Sequence, residues 1–219
     1  MAEPTEAALP TTPAPARRRR ARRGQGERLR EEILAATERL LIWTGDMEQV
    51  SIRAVADEVG VTPPSIYLHF TDKLELVFAV CEKQFASFDR ILEEAAAGSL
   101  DPVESLRLRA RAYVRFGLEH PEEYRILFMS KPAQTPEGWS NERLMGNAAF
   151  GHLVEAVQRA SDQGTIAPGN PVLIASGLWA VVHGITSLLI ANRGLAWPVD
   201  ELVDDVVGTH LAGLRPSVE

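Results

Sequence analysis

The chain has 219 residues, 45 % of them apolar, a single cysteine and a formal net charge of −7. That length and apolar content suffice to bury a core, whereas one cysteine excludes an intramolecular disulfide framework and a cysteine metal cluster and fits a reducing cytoplasm. The negative total excludes a protein coated in basic surface, so the placement of the charges matters more than their sum.

The N-terminal stretch MAEPTEAALPTTPAPA has acids where an export signal needs bases and contains no apolar run, so it is expected to be a disordered tail rather than a leader. From Ala16 to Arg30 the sign reverses, with eight arginines against Glu27. Arg17, Arg18, Arg19, Arg20, Arg22 and Arg23 suit an arm that meets phosphates; a solubilising basic run is the alternative.

Beyond residue 27, apolar residues recur at three- and four-residue spacing and no run alternates with period two, which predicts an all-α fold. Helices are expected at about 27–43, 51–58, 63–69, 72–97, 102–118, 121–129, 140–163, 171–192 and 198–213. Thr71 or Asp72, Asp101, Pro102, Pro121 and Pro198 mark helix starts, and SKPAQTPEGW reads as a surface loop. The composition changes near residue 75. This suggests a tail with a basic arm over 1–26, a three-helix unit over 27–75 and a larger helical unit over 76–215.

SIRAVADEVGVTPPSIYLHF has the spacing of a helix-turn-helix. Ala56 is small where two helices would cross, Gly60 permits the positive φ of a tight turn, and Ile66 returns to the core. Pro63 and Pro64 cost little in the first turn of the second helix, whose N–H groups lack intrahelical partners, and Thr62 is the expected N-cap. With this helix in the major groove, Thr62 and Ser65 would read base edges, and the prolines would touch thymine methyls. Tyr67, His69 and Lys73 would reach phosphates, and Ser51 and Arg53 complete the DNA-binding set.

ILAATERLL, SIRAVADEVG and VTPPSIYLHFTDKLELV together resemble the N-terminal DNA-binding domain of the tetracycline-repressor family of transcriptional regulators. Tyr67, His69, Phe70 and Lys73 form the most specific part of the resemblance, and the double proline departs from it. EHPEEYRILF and LWAVVHGITSLL resemble the C-terminal domain of a subgroup named for its Trp, His and Gly, here Trp179, His183 and Gly184. The resemblance implies a homodimer that binds a double-stranded palindromic operator and carries a small-molecule inducer cavity in its C-terminal domain, most simply as a repressor released by that molecule.

Tyr113, Phe116, Tyr124, Phe128, Phe150 and Trp179, with His183 as a polar handle, are the candidate lining of a largely apolar cavity; aromatics packed only as core are the alternative. On a helical wheel of 171–192, Gly177, Ala180, Gly184, Ser187 and Ala191 share one side, and Val203 and Val207 offer a matching stripe, so these residues are expected at the dimer seam. That uncharged segment is also long enough to span a membrane, but His183, Ser176, Thr186 and Ser187 speak against it, and no membrane partner is expected. Asp200, Glu201, Asp204 and Asp205 read as a solvated face. GQGERL lacks the third glycine and the strand of a dinucleotide loop, and the five histidines lack metal-ligand spacing, so no enzyme activity, cofactor or metal is expected. Cys81 reads as a packed side chain, with redox sensing as the alternative, and a non-catalytic helical adaptor or a membrane-associated helical protein is the competing class.

Overall fold

A computed structural model describes residues 25–129, 148–194 and 196–215. All regular structure among them is helical: α1 (Gln25–Thr44), α2 (Ile52–Val59), α3 (Pro63–Tyr67), α4 (Lys73–Ala96), α5 (Pro102–Glu119), α6 (Pro121–Phe128), α7 (Ala148–Asp162), α8 (Pro171–Ala191) and α9 (Val199–Gly213). The arginine arm, the 130–139 loop and the first part of the helix expected from 140 lie outside the described residues.

Local chemistry sets most helix ends. Ser51 caps α2 by accepting from the Ala54 N–H at 3.1 Å, and Gly60 ends it with φ 76°, donating its own N–H to Ala56 and Asp57 carbonyls. Asp72 caps α4 by accepting from Glu75 N–H at 2.8 Å, and Asp101 caps α5 through the N–H groups of Val103 and Glu104. Thr62 holds the N-cap position of α3 without a side-chain bond to the backbone. Pro64 has no N–H to give, and the Ser65 N–H donates to the Thr62 carbonyl at 2.8 Å, so the Thr62 hydroxyl pairs with the Ser65 hydroxyl instead.

Two apolar clusters result. The first gathers Ile33, Leu34 and Leu41 of α1, Val55 and Ala56 of α2, Ile66 of α3, Phe70, and Leu76, Val77, Val80 and Cys81 of α4. The second gathers Phe88 and Leu92 of α4 with the inner faces of α5, α7, α8 and α9. α4 serves both, and so does α6, which sends Tyr124 into the second cluster and Ile126 into the first. Cys81 is packed, and burial pushes its thiol up to about 12, so it offers no thiolate for redox chemistry.

The second cluster depends on a close crossing of α5 and α8. A Cβ on Gly117 would stand 2.2 Å from Thr186 Cγ2 and 3.2 Å from Tyr124 Cδ2, and Thr186 is fully buried with its hydroxyl donating to the Val182 carbonyl at 2.7 Å. Gly117→Ala should therefore destabilise the chain by about 1–3 kcal/mol in thermal unfolding through overpacking. Gly151→Ala, where an added Cβ meets nothing within 4 Å at an exposed position of α7, should instead stabilise by roughly 0.5–1 kcal/mol through helix propensity.

Candidate ligand cavity and nucleic-acid surface

The helix-turn-helix presents a small outward face. Thr62, Pro63, Pro64 and Tyr67 are exposed on α3, and Ser51 and Arg53 are exposed at the start of α2. Ser65 and His69 are half-buried. His69 lies beside the start of α1, its Cε1 3.9 Å from the position of a Cβ on Gly26. The Lys73 ammonium donates to the Glu48 carbonyl at 2.9 Å and pairs with the Glu48 carboxylate at 3.4 Å, so a phosphate contact is left only its remaining N–H. Leu68, 83 % exposed at the end of α3, and Arg30, whose guanidinium stacks 5.0 Å from the Phe70 ring centroid, were not singled out by sequence.

Between α4, α5, α7 and α8 lies a cavity of about 190 Å³. Phe85, Phe88 and Leu92 of α4, Leu106 and Ala110 of α5, and Leu178 and Val182 of α8 supply much of its apolar wall. Of the expected lining residues, Tyr113, Phe128, Phe150 and Trp179 face it. Phe116, Tyr124 and His183 do not. Phe116 is buried in the core against Phe88, with ring centroids 5.0 Å apart, and Tyr124 and His183 stand behind the wall. The α4 residues were missed by sequence, although Phe85, Phe88 and Leu92 share one helix face at spacings of three and four.

A polar relay leads out of the wall. Trp179 Nε1 donates to the Tyr113 hydroxyl at 3.2 Å, that hydroxyl lies 3.2 Å from the Tyr124 hydroxyl, and the Tyr124 hydroxyl lies 2.6 Å from His183 Nδ1. Burial raises the Tyr113 phenol well above the usual tyrosine range, raises the Tyr124 phenol and lowers His183, so all three groups are neutral at neutral pH.

The cavity rim carries charges that compensate one another. Arg109, only 6 % exposed, holds the Glu93 carboxylate through Nε at 3.1 Å and through Nη2 at 2.8 and 2.9 Å. Next to it, His152 of α7 pairs with Asp89 of α4 at 2.9 Å. Asp89, Glu93 and His152 bring potential metal-ligand atoms within 4.8 Å of one another. Both carboxylates are nevertheless engaged, Glu93 by Arg109 and Asp89 by His152, and the guanidinium beside them opposes a cation.

α8 is two-faced. Leu178, Val182, Ile185, Thr186 and Leu189 are buried, whereas Leu173, Ala180, Gly184, Leu188 and Ala191 form an exposed strip. Ser187 is half-buried. The seam expected on α9 is corrected by the packing: Val203 and Val207 are 3 % and 1 % exposed within a single subunit, because the inner stripe of α9 is used against α5 and α8. Gly177 is half-buried and faces α9, where a Cβ would stand 3.3 Å from His210 Nε2.

Comparison with known proteins gives this arrangement a family. Residues 33–80 match the family described as bacterial regulatory proteins, tetR family, and residues 106–210 match the tetracyclin repressor-like C-terminal domain. The chain belongs to the tetR family of helix-turn-helix transcription regulators, whose members bind operator DNA and small-molecule ligands and typically act as dimers. It is 27 % identical over 170 residues to the HTH-type transcriptional activator FasR of Mycolicibacterium smegmatis, covering 77 % of this chain and 75 % of that one. A structure of a protein of unknown function from Rhodococcus sp. RHA1 is 32 % identical, with TM-score 0.73 over 86 % of this chain and 96 % of the other. FadR of Bacillus subtilis in complex with stearoyl-CoA shares the fold, with TM-score 0.70 at 14 % identity, covering 84 % and 99 % of the two chains. All the matched families and named relatives are regulators, and none indicates a catalytic family.

The rim pair has a pH signature. The hydrogen bond to Asp89 and the nearby carboxylates of Asp89, Glu93 and Glu155 raise the His152 pKa above 6.5. Its contribution to stability is therefore fully present below pH 6.5 and lost as pH rises through the raised value. Asp89→Asn should lower the melting temperature more on the acid side of 6.5 than on the alkaline side, measured by thermal unfolding across that range.

Proposed function

We propose that the chain is a cytoplasmic, non-catalytic repressor that binds an inverted-repeat operator as a homodimer and is released when an apolar molecule enters the α4–α8 cavity. The observation that carries this reading is the sharing of α4: Leu76, Val77 and Val80 underlie the helix-turn-helix, and Phe85, Phe88 and Leu92 of the same helix wall the cavity. A ligand that binds one setting of α4 more tightly than another shifts the spacing of the two α3 helices, and hence the affinity for DNA, by that difference. α6 supports the same coupling, since Leu127 and Phe128 wall the cavity and Ile126 lies in the N-terminal core. The stearoyl-CoA held by the Bacillus subtilis relative fits a ligand with a long apolar part. We also place the division between the DNA-binding unit, 27–75, and the ligand-binding and dimerisation unit, 76–215, within α4.

In this reading Thr62, Pro63, Pro64 and Ser65 meet base edges, and Ser51, Arg53, Tyr67, His69 and Lys73 meet the backbone. Arg17, Arg18, Arg19, Arg20, Arg22 and Arg23 add phosphate contacts. The exposed strip of α8, centred on Ala180, Gly184, Leu188 and Ala191, forms the seam, because small residues let helices approach closely and Leu188 is 61 % exposed in the single subunit. FasR, an activator, favours the opposite regulatory sign. Reporter transcription from a bound operator settles the sign: expression that rises when the gene for this chain is deleted supports repression, and expression that falls supports activation.

Gly184→Leu should overpack the seam and yield monomer with loss of operator binding, whereas His183→Ala should keep the dimer and change the ligand response. Sedimentation with operator-binding measurements checks both, and a fully dimeric Gly184→Leu would remove the seam from α8. Deleting residues 1–23 should weaken operator binding and flatten the slope of log affinity against log salt by about 0.9 for each lost phosphate contact. An unchanged slope would leave the arm without a DNA role.

A further inference from the structure

The polar groups of the cavity specify what can enter it. Among the described residues, only two kinds of polar group reach its wall, the Arg109–Glu93 pair and the Tyr113–Trp179 pair. The guanidinium of Arg109 is fully occupied: Nε and Nη2 bond Glu93, and Nη1 bonds the Ser105 carbonyl at 3.4 Å and the Ser105 hydroxyl. All three nitrogens of Arg109 are bonded within the protein, and the charge of Arg109 is already matched by Glu93. Any further charge buried beside the phenylalanines would lack a counter-ion and would lose its hydration.

The Tyr113 side is different. Its hydroxyl has one hydrogen to donate and two lone pairs, and three polar groups stand within 3.2 Å: Trp179 Nε1, the Tyr124 hydroxyl and His183 Nδ1. His183 Nδ1 holds either one lone pair or one hydrogen, and it spends this on Tyr124 at 2.6 Å, the shortest of the contacts. Tyr113 is thus bonded to Trp179 and Tyr124, with one of its three positions open, and its side chain lines the cavity. With Nδ1 unprotonated, donation runs from Trp179 through Tyr113 and Tyr124 to His183, and the open position is a lone pair that a ligand hydroxyl can use. With hydrogen on Nδ1, the far part of the chain reverses, and the open position is the Tyr113 O–H, which a ligand carbonyl can use.

We propose that the cavity takes an uncharged, mainly apolar molecule with one neutral hydroxyl or ester-type carbonyl oxygen at Tyr113, and that it excludes free carboxylates. This rests on the reading of the cavity as the ligand site. It separates an alcohol or an acyl ester from the free acid of the same chain length, a distinction that apolar lining alone does not make.

The test uses the full-length protein and four probes of matched chain length: octanol, methyl octanoate, octanoate at neutral pH, and octane. Binding is read from the rise in melting temperature with free probe concentration. Octanol, methyl octanoate or both should bind on the order of tenfold or more tightly than octanoate. Whichever of the two binds identifies the neutral oxygen as hydroxyl or carbonyl. Tyr113→Phe should reduce that probe's affinity by about fivefold, to the level of octane, without changing the dimer. If Tyr113→Phe does not fold, the infrared carbonyl band of isotope-labelled methyl octanoate in the wild-type protein replaces it, and a shift to lower frequency on binding is expected. Octanoate binding as tightly as the neutral probes would overturn the proposal while leaving the cavity as the ligand site. A carbonyl band at its hydrocarbon-solvent frequency would likewise overturn the hydrogen bond. Failure of all four probes to raise the melting temperature would overturn both the proposal and the reading of the cavity beneath it.

Discussion

One continuous helix is obliged to satisfy two cores. α4 runs for 24 residues, about 36 Å at the α-helical rise, without a proline or glycine to let it bend. Its first turns bury Leu76, Val77, Val80 and Cys81 beneath the helix-turn-helix, and its later turns bury Phe88 and Leu92 in the second cluster. A packed helix cannot rotate or slide at one end and stay fixed at the other, because interiors are close-packed and respond by discrete repacking. Whatever sets the wall at Phe85 and Phe88 therefore bears on the ground beneath α3. α6 is a second tie of the same kind, since Tyr124 and Ile126, two residues apart on one helix, anchor in different clusters.

The remainder of the second domain holds that wall in place. The crossing at Gly117 brings α5 against Thr186 of α8, and the relay from Trp179 through Tyr113 and Tyr124 to His183 ties α5, α6 and α8 together through neutral hydrogen bonds. The rim adds Arg109–Glu93 between α5 and α4 and His152–Asp89 between α7 and α4. A cavity bounded in this way is apolar inside and electrically compensated at its edge, which restricts both the shape and the charge of its occupant. The same domain leaves one strip of α8 exposed, and its small residues and Leu188 are poorly suited to remaining in water.

How much of this could be read from the sequence depended on the range of the interactions. Gly60, the caps at Asp72 and Asp101, and the prolines that open α3, α5 and α6 act within a few residues, so helix identity and the helix-turn-helix were legible. Thr62 takes the N-cap position expected of it but makes no side-chain bond to the backbone, because its hydroxyl turns to Ser65 once Pro64 has removed a donor. The cavity was legible only in part. Aromatic spacing locates a core, but Phe116 and Phe128 differ in whether they pack against neighbours or face empty space, and only the tertiary arrangement of five helices decides that. Val203 and Val207 failed for a related reason: a wheel identifies a buried stripe without telling a subunit's own core from its partner's surface. Arg109 went unnoticed because the carboxylate that permits its burial lies on another helix.

The central claim is that occupation of the cavity is read at α3 through α4 and α6. The most direct measurement is the distance between spin labels placed at the exposed Leu68 of the two subunits, with and without the octyl probe that most raises the melting temperature. The account predicts a changed mean separation at the same probe concentrations that lower operator affinity. An unchanged separation accompanied by loss of operator binding would contradict it.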